Sequence, residues 1–192
     1  MLTSVSSDRA ELEQQYIHVF KDIAVSEMHR SGIPASIKLA QGLLESQAGQ
    51  SSLATKANNH FGIKCKKEWY GPTFYKKDDD RDRRGRLIES CFRAYDFVQQ
   101  SYVDHTNFLL HRERYKDLFR YGRQDYVNWA IGLKRCGYAT DKKYAHKLIK
   151  TIQRLGLNAL DSAPLPTHEK STTISMPAYE IPESYRPGDG LK

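Results

Sequence analysis

The stretch QGLLESQAGQSS, residues 41–52, sets one carboxylate, Glu45, among leucines, glycines and small polar residues. The pattern predicts a helix over 34–48. At about 100° per residue, Ile33, Ile37, Ala40, Leu44 and Ala48 form one apolar stripe. Leu39 and Leu43 make a second side apolar, as in a central helix. Lys38, Gln41 and Glu45 share a polar sector roughly 60° wide, with Gly42 and Gly49 beside it. In one reading Glu45 pairs with Lys38 on a solvated strip, the usual fate of helix charges. In the other it faces a cleft with apolar walls, and desolvation plus the helix C-terminal dipole raise its pKa. A carboxyl raised in this way suits a general acid near neutral pH. The glycines then leave room for something to approach the backbone.

Other groups carry weaker signals. The run KKDDDRDRRGR, residues 76–86, concentrates carboxylates, but such a run reads equally as a solvated hairpin tip or a cation site. Cys65, Cys91 and Cys136 match no zinc spacing. The seven histidines show no ligand pairing, and His105 and His111 read as surface or core. No metal and no cofactor is expected.

The elements that position these groups are mostly helical. Leu12, Tyr16, Val19, Phe20, Ile23 and Met28 predict a helix over 8–30. NNHFGIKC reads as a turn and a short strand. WYGPTFY and RLIESCFRAY read as strands flanking the charged run, which becomes a hairpin tip. Helices follow from Asp96, as cap, to Leu110, over 124–136, and from an Asp141 cap to about Leu155, closed by Gly156. Residues 161–192 hold five of the seven prolines and read as a linker or tail. One domain over 1–160, with a β-lobe at about 61–95, fits 192 residues that are 39% hydrophobic.

The net charge is +7, with 30 Lys and Arg against 23 acids. An anionic partner is implied: nucleic acid, a membrane surface or an acidic wall polymer. The acids interleave with the bases in RDRRGR and no nucleic-acid motif is present, so nucleic acid is set aside. No apolar run reaches the length of a membrane span, and the first residues lack a signal-peptide pattern. The chain is therefore cytoplasmic, or exported with its signal already removed.

IPASIKLAQGLLESQAGQSSLATKANNHFGIK, then CFRAYDF, then GYATDKKYAHKLI resemble, in order, the bacterial glucosaminidase domain, glycoside hydrolase family 73. The resemblance covers about 17–157. It implies an α+β, mainly α, lysozyme-like fold in which a small β-hairpin lobe forms one wall of a cleft. It also implies cleavage of peptidoglycan between N-acetylglucosamine and N-acetylmuramic acid by an exported monomer that acts on glycan strands. Glu45 matches the general acid. The second carboxylate falls nearest Asp80, with Asp78 and Asp79 beside it, where the family carries threonine-x-glutamate; Glu89 is the alternative. The substrate's own acetamido group is a third route. Tyr138 matches an active-site tyrosine. Asn59, Phe61, Phe92 and Tyr95 resemble cleft-lining positions. Antiparallel strands could bring Cys65 and Cys91 within bonding distance, which suits an exported enzyme; two reduced core thiols are the other reading. A non-catalytic wall-binding module of the same fold is the competing function.

Overall fold

The computed structural model describes residues 2–67 and 69–167. From His168 onward the expected tail lies outside the described residues.

A long first helix, α1 (Leu2–Ser31), turns at Gly32 and Pro34 into α2 (Ala35–Ser46). α2 is the axis of the molecule: α1, two later helices and the closing segment all pack on it. Its double-sided apolar pattern follows from that position. Every residue of α2 is buried except Leu44 and Glu45. Gly42 is explained by packing. A Cβ there would stand 2.3 Å from the Tyr16 hydroxyl. The space beside the polar sector is therefore filled by a tyrosine of α1 and is not open to a ligand.

α2 ends abruptly. Gln47 and Ala48 are left-handed at φ 55° and 53°, which costs a non-glycine residue about 1 kcal/mol, and Gly49 follows at φ 82°. The Ser46 hydroxyl secures this turn, donating to the Gly42 carbonyl and accepting from the Gly49 amide. A short helix, α3 (Ser52–Ala57), comes next, in a stretch for which the sequence pattern predicted no element; the Ser51 side chain caps it by accepting from the Ala54 amide.

The hairpin pairs β1 (Thr73–Arg81) with β2 (Leu87–Arg93), from Thr73 opposite Arg93 to Lys77 opposite Glu89, with a register shift before Arg81. A single bridge from Lys64 to Phe92 adds a third member. Most of the charged run thus belongs to β1 rather than to the tip. The turn comes later because Asp82 accepts from the Arg84 and Arg86 amides and pairs with the Arg86 guanidinium, while Gly85 supplies φ 78°. Cys65 and Cys91 form a disulfide across the lobe, and Cys136 is free.

α4 (Val98–Leu110) begins after Phe97, not at an Asp96 cap. The Gln100 side chain accepts from the Asp96 and Phe97 amides and takes over that task. A 3₁₀ segment (Glu113–Arg120) leads to α5 (Tyr126–Arg135), capped by Asp125. α6 (Tyr144–Leu155) ends at Gly156, φ 64°. Asp141 sits just before α6 and accepts from the Lys143 amide. A second 3₁₀ segment (Leu157–Ser162) closes the body. Asp161, only 1% exposed, accepts from the Ser36 amide and hydroxyl, and His29 reaches the Ala163 carbonyl. Packing therefore continues past residue 160.

Two clusters form the interior. The large one packs the helices around Tyr102, Tyr115, Trp129 and Leu133. The small one joins α3 to the hairpin through Leu53, Ala57 and Phe92. A buried ion pair ties the hairpin base to α4. Arg93 Nη1 donates to both oxygens of Asp104 at 3.0 Å, the Tyr95 hydroxyl donates to the same carboxylate, and the guanidinium lies over Trp69.

Candidate active site

Between the helical body and the hairpin lies a cleft of about 580 Å³, open to solvent. Glu45, Phe61, Phe92 and Tyr138 all line it, together with Asp78. The abrupt end of α2 puts Glu45 at its mouth. One side of the residue meets solvent, while protein packs around the rest. Those surroundings raise the Glu45 pKa by desolvation, opposed by a hydrogen bond from Tyr144 and the charge of Lys147. The Tyr144 hydroxyl donates to Glu45 Oε1 at 3.0 Å and accepts from Gln41 Nε2 at 3.1 Å. Gln41 and Tyr144 thus form a buried relay that ends at the carboxylate.

Lys38 does not pair with Glu45. It is fully buried and points into α4, and burial brings it down to about 7, against the opposing charges of Glu27 and Asp104. Tyr138 stacks on Tyr144, ring centroids 5.6 Å apart, and its hydroxyl is 2.9 Å from His105 Nε2. Burial and the Glu45 charge push the Tyr138 phenol well above its ordinary value, so it stays protonated. Tyr144 is raised in the same way, first by burial.

The strand carboxylates separate by geometry. Phe74, Lys76, Ser90 and Phe92 share one face of the hairpin, because Phe74 pairs with Phe92 and Lys76 with Ser90. Lys76 and Phe92 line the cleft. Glu89, opposite Lys77, therefore points to the other face. Asp80 does not line the cleft. It is held by Lys64 Nζ at 2.8 Å and by the Ser90 hydroxyl, and both bonds keep its carboxyl below the usual range. Asp78 lines the cleft and stands 3.2 Å from the same Lys64.

Asn59 and Tyr95 turn inward. Asn59 is buried, donates to the Ile63 and Arg93 carbonyls and accepts from the Phe61 and Ile63 amides, fixing the loop that presents Phe61. Tyr95 serves the Asp104 pair. Lys66, Lys76, Arg112 and Arg114 add positive charge to the cleft, with Arg112 over Phe108 and Arg114 over Tyr115. Sequence reasoning missed Tyr144 as the partner of Glu45 and Gln41 as the partner of Tyr144. Tyr144 lies inside the GYATDKKYAHKLI motif, and Gln41 one helical turn before Glu45; those were the available signals. Among the described residues no group of His, Cys, Asp or Glu could hold a metal ion.

Comparisons with known proteins fit this geometry. Residues 21–157 match the family profile described as glucosaminidase, mannosyl-glycoprotein endo-beta-N-acetylglucosaminidase. The exo-glucosaminidase LytG of Bacillus subtilis is 29% identical over 167 residues, 82% of this chain and 57% of that protein. The peptidoglycan hydrolase FlgJ of Vibrio parahaemolyticus is 28% identical over 157 residues, 80% of this chain and 51% of that protein. The chain spans about half the length of the curated relatives it matches. Among solved structures, the catalytic domain of the autolysin Auto from Listeria monocytogenes superposes with a TM-score of 0.68 at 25% identity, covering 78% of this chain and 87% of that one. The glycoside hydrolase domain of Salmonella typhimurium FlgJ gives 0.59 at 25% identity, covering 77% and 90%.

Proposed function

The chain belongs to the glucosaminidase family, and from that premise we propose that it hydrolyses peptidoglycan at the β-1,4 bond between N-acetylglucosamine and N-acetylmuramic acid. Glu45 is the general acid that protonates the leaving oxygen. The observation that carries this reading is a glutamate whose proton is favoured by its surroundings, set at the mouth of a cleft open to solvent. Phe61 and Phe92, each only 4% exposed, build the wall of the cleft from the core, and Tyr138 offers a hydroxyl beside the reacting bond.

The second carboxylate is Asp78. It lines the cleft with Glu45, and Lys64 keeps an adjacent positive charge. Asp80, bonded to Lys64 and Ser90, is a positioning residue for that lysine. Glu89 takes no part. The cations Lys66, Lys76, Arg112 and Arg114 meet the acidic groups of the substrate, so binding weakens with salt. The Cys65–Cys91 disulfide supports export, and the chain acts as a monomer. No described helix is long and apolar enough to cross a membrane.

Incubation with purified peptidoglycan tests the reading. New reducing ends of N-acetylglucosamine appear with the wild type, and Glu45→Gln lowers their rate by about 10²–10⁴. Asp78→Asn lowers it strongly, Asp80→Asn weakly, and Glu89→Gln leaves it within about twofold. Full activity in Asp78→Asn as well would assign the second step to the substrate's acetamido group. Wall binding without cleavage by the wild type would make the chain a binding module.

A further inference from the structure

Lys38 is a charged side chain with no solvent exposure, two helical turns before Glu45. A buried ammonium is tolerated only where each N–H finds an acceptor. Lys38 Nζ has three neighbours: the Tyr102 carbonyl at 2.8 Å, Thr106 Oγ1 at 2.8 Å and His105 Nδ1 at 3.0 Å. The Thr106 hydroxyl spends its own hydrogen on the Tyr102 carbonyl, so it faces Lys38 as an acceptor. Where Lys38 is charged, below about pH 7, three donors therefore meet three acceptors, and His105 Nδ1 is one of those acceptors.

This settles the far side of the imidazole. His105 is fully buried next to Lys38, and both effects keep its ring neutral. A neutral imidazole carries one hydrogen. With Nδ1 accepting from Lys38, that hydrogen sits on Nε2. Nε2 lies 2.9 Å from the Tyr138 hydroxyl, so the ring donates and the phenol oxygen accepts. The phenol's own hydrogen must then point elsewhere, and Tyr138 lines the cleft. Phe61 stacks on the imidazole, with centroids 4.1 Å apart and planes 8° apart, and holds its orientation.

We propose that Lys38 is a positioning residue that, through the tautomer of His105, fixes the Tyr138 hydroxyl as a hydrogen-bond donor into the cleft beside Glu45. It rests on the functional reading above in one respect: the donor is useful only if a sugar occupies the cleft. Its natural targets there are the acetamido carbonyl or the attacking water. Without Lys38 the imidazole can carry its hydrogen on Nδ1. Nε2 then accepts from Tyr138, and the phenol hydrogen turns away from the cleft.

Long-range ¹H–¹⁵N correlation spectra of the imidazole rings, at pH 6 on the full chain, read the tautomer directly. His105 is expected to carry its hydrogen on Nε2 in the wild type, and to lose that pure form in Lys38→Met. A wild-type spectrum with the hydrogen on Nδ1 overturns the proposal without any variant, which covers the case in which Lys38→Met does not fold. In turnover of peptidoglycan, Lys38→Met and Tyr138→Phe should each lower kcat by about 10- to 100-fold with little change in KM. The double variant should lose no more than either single one. A Lys38→Met protein that melts lower but keeps kcat and the Nε2–H form makes the lysine purely structural and refutes the proposal. The spectra need no substrate, so absence of wild-type hydrolysis would count against the functional reading alone.

Discussion

Asp104→Ala is the sharpest test of how the hairpin is held to the body. Asp104 is fully buried, and its carboxylate accepts from Arg93, itself 2% exposed, and from Tyr95. Arg93 ends β2 and Asp104 lies in α4, so the pair fixes one wall of the cleft to the helices. Truncating Asp104 leaves the guanidinium buried beside Trp69 without its carboxylate. Breaking a buried pair in this way costs about 3–5 kcal/mol. Against a total stability of about 5–15 kcal/mol, that is a large fraction. Urea unfolding at pH 7 measures it as a fall in midpoint at unchanged slope. The companion variant Arg93→Met/Asp104→Leu should recover most of the loss, because an apolar pair of similar volume often equals a buried ion pair. A loss below about 1 kcal/mol for Asp104→Ala, or a double variant as weak as the sum of its single changes, would refute the claim that the pair secures the hairpin.

Four further outcomes follow from the same geometry. Removing the Cys65–Cys91 bond as Cys65→Ser/Cys91→Ser should cost about 3.5 kcal/mol by loop entropy for a 26-residue separation, read by urea unfolding. Gly42→Ala should destabilise by about 1–3 kcal/mol despite alanine's better helix propensity, because its Cβ meets the Tyr16 hydroxyl; a raised melting temperature would contradict the packing. Asp161 is raised by burial to about 6 from 3.8, so its contribution is full below 3.8 and lost as pH rises through 6. The difference is about 3 kcal/mol, and Asp161→Asn should flatten that part of the stability–pH curve. Glu45 is also raised, so activity should fall as pH rises through its pKa; Tyr144→Phe removes a bond that stabilises the carboxylate and should move that fall to higher pH.

The helices were legible wherever packing and local pattern agree. α2, α5 and α6 follow from apolar spacing, and the Gly156 end follows from cap chemistry. The hairpin was legible in outline, but its tip was misplaced. Charge content suggested a loop over 76–86, whereas the turn is set by one side chain, Asp82, bonding two amides beyond it. The candidates Asp80 and Glu89 come from the same hairpin; the bonding of Asp80 to Lys64 and Ser90 and the outward face of Glu89 depend on register, which sequence spacing alone does not fix.

Lys38 shows a deeper limit. Helix projection put Lys38, Gln41 and Glu45 on one sector, and a sector of three polar groups reads as solvent-facing. Lys38 and Gln41 instead look inward, because the helix is surrounded, and only Glu45 in its last turn reaches the cleft. The acceptors that make a buried Lys38 tolerable come from 64 to 68 residues away, on α4. No local pattern announces them. Yet the cost of burying that charge shows why the three groups run as a line. The buried donors on this face, Lys38 Nζ and Gln41 Nε2, each find a partner, and two of those partners lead toward the cleft: His105 to Tyr138, and Tyr144 to Glu45. Satisfying the buried donors of Lys38 and Gln41 and orienting the two tyrosines at the cleft are therefore one structural task.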